Sequence, residues 1–82
     1  MAPRLSLQPV QVMTGCNDQE GYLVLSDGQL VAVLVRLADE MHLDQLGKWF
    51  LEAGFGPCRT TVPPVFADLD EAQAWVRQKL AS

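Results

Sequence analysis

The sequence predicts an α+β domain: an antiparallel sheet of about four strands, ordered β-β-β-β-α, with one C-terminal helix packed on one face. Three observations carry that reading. Asp27-Gly28 separates two β-rich runs, residues 22–26 and 29–37, and Asp-Gly between such runs is a strong local signal for a two-residue type I′ hairpin. Every residue from Leu30 to Val35 is apolar, so both faces of that ribbon favour leaving water. From Asp68 onward, acidic residues come first, apolar residues recur at helical spacing and basic residues come last.

Residues 1–8 read as a loose lead. The first strand is expected over residues 9–14, with Val10 and Val12 on one face and Gln11 and Met13 on the other; Pro9 suits the first position of a strand or an edge. A polar turn bounded by Gly15 and Gly21 follows. An uninterrupted two-residue hairpin sets Leu25 opposite Leu30 and Leu23 opposite Ala32. One face then holds Leu23, Leu25, Leu30, Ala32 and Leu34. The other holds Tyr22, Val24, Val31, Val33, Val35 and Leu37.

Residues 38–47 are polar and acidic. Residues 48–55 fit a strand, with Trp49, Leu51, Ala53 and Phe55 on one face. A helix from about Glu40 would align Leu43, Leu46, Phe50 and Ala53. That alternative places Gly47 in mid-helix at a cost of about 1 kcal/mol relative to Ala, and consecutive aromatics favour a strand. Residues 56–64 hold three prolines and form an extended loop, passing through a polyproline-like lead-in at 62–66. The helix is expected over about 69–81. Asp68 is its N-cap and Glu71 stands three residues on; Leu69, Ala72, Val76 and Leu80 form its apolar stripe, widened by Trp75.

Eighty-two residues form one domain, 1–82. A chain this short buries only about 60% of its unfolded surface, so its stability margin is thin. Yet 49% of its residues are hydrophobic, more than one small core readily absorbs, which is the first argument for a partner subunit. The net charge of −4 and six scattered basic residues argue against nucleic acid and against anionic membranes. No run approaches the roughly 20 apolar residues of a membrane span, and no continuous apolar core of a signal peptide is present. A cytoplasmic protein with reduced Cys16 and Cys58 is the expectation.

Few residues invite chemistry. His42 is the single histidine and sits among Asp39, Glu40 and Asp44, as a solvated surface residue would. Cys58 lies beside Arg59, which could lower its pKa, but a nucleophile also needs a base, and His42 is the sole imidazole. Cys16, His42 and Cys58 lack the close-spaced ligand pair of a zinc site. No catalytic, metal or cofactor residues are therefore assigned; Cys58 and His42 are the two weak candidates for reactivity.

The expected function is a non-enzymatic protein-interaction module that self-associates through its sheet, as a homodimer or with another protein. Its candidate interface is Tyr22, Val24, Val31, Val33, Val35 and Leu37. The alternative is a small-molecule binding domain with an apolar pocket between helix and sheet, where Ala32 and Ala72 leave room and Tyr22 or His42 supplies polarity.

Overall fold

The computed structural model describes residues 4–13, 20–38 and 47–81. Five antiparallel strands run in sequence order across one sheet: β1 (Leu5–Gln11), β2 (Glu20–Ser26), β3 (Gln29–Arg36), β4 (Trp49–Gly54) and β5 (Val65–Phe66). A 3-10 turn (Gly56–Cys58) follows β4, and helix α1 (Leu69–Ala81) ends the chain. The arrangement is the α+β sheet-plus-helix that the sequence implies.

The hairpin turn forms where Asp-Gly places it. Asp27 and Gly28 have φ of +51° and +87°, the left-handed pair that a type I′ turn requires and that Asp and Gly tolerate best. Asp27 also ties down the start of β1. Its N–H donates to the Arg4 carbonyl at 2.9 Å, and its Oδ1 accepts from the Arg4 N–H at 3.4 Å.

Strand β1 starts earlier than the sequence reading allows. Leu5 to Gln8, taken as part of a loose lead, pair with Ser26 to Leu23, and the ladder runs on to Gln11 opposite Glu20. The cause is apolar alternation: Leu5 and Leu7 pack against the core while Ser6 and Gln8 point away. Pro9 therefore sits inside an edge strand rather than at its first position. Short β5 forms within the expected lead-in, pairing Val65 and Phe66 with Phe50 and Trp49.

Hairpin register departs from direct pairing after two steps. Ser26 faces Gln29 and Leu25 faces Leu30, as expected, but Val24 then faces Ala32, not Val31. Val31 is an extra residue on β3, a β-bulge. Its carbonyl accepts the Phe55 N–H from the other side at 2.9 Å, so no backbone acceptor is stranded there. A second bulge on β4 leaves Glu52 extra between Leu51 and Ala53, which face Leu34 and Val33.

The core lies between sheet and helix. Val24, Ala32, Leu34, Leu51, Cys58, Phe66, Ala72 and Val76 are buried there together with Val31, flanked by Leu5, Leu7, Trp49, Leu69, Trp75 and Leu80. Each fully buried aliphatic side chain contributes about 1.5–3 kcal/mol of transfer free energy. Gly54 permits the 3-10 turn to close onto β4: a Cβ there would fall on the Cys58 carbonyl.

Helix α1 begins as the sequence dictates. Asp68 Oδ1 accepts the Glu71 N–H at 2.8 Å, and Glu71 Oε2 accepts the Ala67 N–H at 3.2 Å. The first bond satisfies one orphan donor of the first turn, and the second ties the residue before the N-cap to the helix, a variant of the capping box. Trp75 is half-buried, its ring 5.7 Å from that of Phe66 and capped by Lys79 Nζ at 5.5 Å. On these contacts Asp68→Ala lowers stability by about 1 kcal/mol, and Val76→Ala by about 1–4 kcal/mol through lost contacts and a cavity. Urea unfolding of the two variants checks both; an unchanged midpoint for Asp68→Ala would place the effective cap elsewhere.

Candidate functional site

The bulge at Val31 decides which side chains reach which face. Strand alternation on either side of it puts Tyr22, Val24, Ala32, Leu34 and Leu51 on the helix-covered face. Leu23, Leu25, Leu30, Val33, Ala53 and Phe50 fall on the opposite, far face, with Val65 beside Phe50. Direct pairing would have grouped Leu23 with Ala32 and Val24 with Val33. One inserted residue exchanges those groupings, because the side-chain period of a strand is two.

The six residues proposed from sequence as one interface are consequently split. Tyr22, Val24 and Val31 lie on the helix side. Val24 and Val31 are buried in the core, and the half-buried Tyr22 ring stands 5.4 Å from that of Trp49. Val33, Val35 and Leu37 lie on the far face, but Val35 and Leu37 are already buried within a single chain. Of the set, Val33 alone is both on the far face and partly open. The bulge is the physical reason: a run of six apolar residues carries no mark of where an extra one will be accommodated.

What the far face offers instead is an apolar surface spread over β2 to β5. Leu23, Leu25, Val33 and Phe50 are half-buried, while Leu30 and Val65 are each 39% exposed. None of the paired strand residues on this side is charged. Described charges other than the bulged Glu52 sit at ends and on the helix; Arg36 and Glu20, for example, pair at 3.4 Å in solvent, an exposed contact of small energetic weight. Leu23, Leu25 and Phe50 were missed as surface candidates, although Phe50 opposing Trp49 and Leu51 in alternation was legible once β4 was taken as a strand.

A second apolar feature lies at the hairpin end of the molecule. An open depression of about 650 Å³ is bordered by Leu30, Val31, Phe55, Pro57 and Leu80, with Ser26 and Gln29 at its rim. Phe55 is 45% exposed there. The space directly beneath α1, where Ala32 and Ala72 were expected to leave room, is filled by Leu34, Leu51, Cys58 and Phe66.

Cys58 is a free, fully buried thiol. Burial pushes its pKa above the ordinary 9.0, and the nearby Lys79 ammonium offsets part of that rise. Neutral thiol, not thiolate, is thus favoured, the opposite of what a nucleophile needs. His42, Cys16 and the acidic residues around His42 lie outside the described residues. Among the described residues no three His, Cys, Asp or Glu side chains gather as metal ligands, and no helix is long and apolar enough to cross a membrane.

Comparison of the chain with known protein families, with curated proteins and with solved structures finds no match.

The raised Cys58 pKa gives a signed expectation. The folded chain holds this proton more tightly than the unfolded chain, so the associated stability is present below the ordinary thiol range and lost as pH rises through the raised value. Cys58→Ala lowers stability at neutral pH by about 1–2 kcal/mol through lost packing and declines less steeply than wild type above about pH 9. Urea titrations from pH 7 to pH 10 check this. Parallel pH profiles for the two proteins would show that the thiol proton is not linked to folding.

Proposed function

We propose that this chain is a non-enzymatic protein-interaction module that self-associates through its β-sheet. The observation that carries the reading is the far face: Leu23, Leu25, Leu30, Val33, Phe50 and Val65 on the side of the sheet opposite α1, with no charge among its paired residues. Helix α1 covers the other face, and on the far face Val35 and Leu37 are already buried while the six residues named keep part of their surface open. An apolar surface continuous over several strands costs a small domain stability while it remains in water, at about 25 cal/mol per Å², and such patches mark association surfaces. The chemistry supports the same direction, since the one described thiol is buried and neutral.

Sedimentation equilibrium of the purified chain at tens of micromolar tests the proposal. The expected mass lies above the 9.0 kDa of one chain, toward twice that value, and falls toward the single-chain value on dilution. A single-chain mass throughout that concentration range would overturn self-association.

A further inference from the structure

We infer that two copies meet face to face as a β-sandwich, with a two-fold axis running along β3 between the far faces and both α1 helices outermost. The inference rests on the self-association reading and supplies its geometry. Self-association through a sheet has two routes, by edges or by faces, and in this molecule the edges are closed to it.

The β1 edge is blunted by Pro9. The Arg4 carbonyl accepts the Asp27 N–H, and the unbroken β1–β2 ladder alternates from there. Residues 4, 6, 8 and 10 thus direct their backbone groups to β2, and Leu5, Leu7, Pro9 and Gln11 direct theirs outward. Pro9 has no N–H, so it takes nothing from the β1–β2 ladder but removes a donor from the middle of the open edge. The other edge is β5, only two residues long and preceded by Pro63-Pro64. Neither edge presents the continuous row of donors and acceptors that strand-to-strand pairing uses.

The faces, by contrast, fit one another. An axis along β3 sets β2 of one copy over β4 of its mate. Leu23 then lies over Ala53, a large side chain against a small one, since both pair with Val33 in the same row. The row Gly21–Val35–Phe50 contributes little, because Gly21 and Val35 are already buried within one chain. On β3 itself Val33 and Leu30 each meet their own counterparts, as a two-fold interface requires. Large-against-small alternation of this kind lets facing layers interdigitate.

The size sets the strength. Three strands, β2 to β4, about 4.8 Å apart and about six residues long give roughly 300 Å² in projection, with two-residue β5 adding a little at one side. That is below the roughly 600 Å² a side of stable interfaces, so a weak dimer, dissociating at tens of micromolar, is expected.

Sedimentation velocity over about 1–100 μM, with circular dichroism to confirm folding, separates the outcomes. Val33→Asp weakens the dimer by about 100-fold or more. Leu30→Gln, at a position 39% exposed and therefore tolerant in the monomer, weakens it by about tenfold. Pro9→Thr, which restores an outward donor to the β1 edge, leaves it within about twofold. A dimer that resists both β3 substitutions, or one that Pro9→Thr strengthens, overturns the face-to-face geometry while leaving self-association standing. A wild-type monomer at about 100 μM overturns both, and the far face is then open to a different protein.

Discussion

A single extra residue in β3 determines how the rest of this molecule is arranged. Val31 bulges out of the hairpin ladder, its carbonyl is taken up by the Phe55 N–H, and Val24 pairs with Ala32 in its place. Val31 and Ala32 both enter the helix-side core. That adds an apolar side chain to the core without lengthening the strand, and the small Ala32 accommodates the crowding. Every residue of β2 beyond Leu25 changes its grouping with β3 as a result. The grouping of β2 with β3 side chains beneath α1 and on the far face follows from that shift, because a strand has only two sides and one residue exchanges them.

Elements governed by local chemistry were legible in the sequence. Asp27-Gly28 needs two left-handed residues and has them. Asp68 and Glu71 form their capping contacts where their spacing puts them, and α1 occupies Leu69–Ala81. Strand β4 was identified from Gly47 and the adjacent aromatics. Elements governed by tertiary pairing were not legible. Val65–Phe66 looks like a polyproline-type lead-in and becomes a strand because Phe50 and Trp49 lie beside it. Leu5 to Gln8 alternate as a strand should, but four residues ahead of a proline carry too little signal until Ser26 to Leu23 are there to pair with. The bulge itself is invisible in a run where every residue is apolar.

The same limit applies to the proposed interface. Composition supplies only a general expectation: more apolar surface than one helix covers. It could not say which side chains would remain outside, since that depends on the position of the bulge. The far face is therefore largely a product of register, with Val33 retained from the sequence-derived set, Leu23 and Leu25 added by the shift, and Phe50 placed there by plain alternation along β4. Pro9 has a matching role at the margin of the sheet, blunting an edge that would otherwise be open to further strands.

The β2–β3 register is the claim on which these conclusions stand, and NMR tests it directly. Interstrand backbone nuclear Overhauser contacts in the labelled chain should link Val24 with Ala32, Leu23 with Val33 and Tyr22 with Leu34, after Leu25 with Leu30. Contacts linking Val24 with Val31, Leu23 with Ala32 and Tyr22 with Val33 would show an unbulged hairpin, and would contradict both the core and the far face described above.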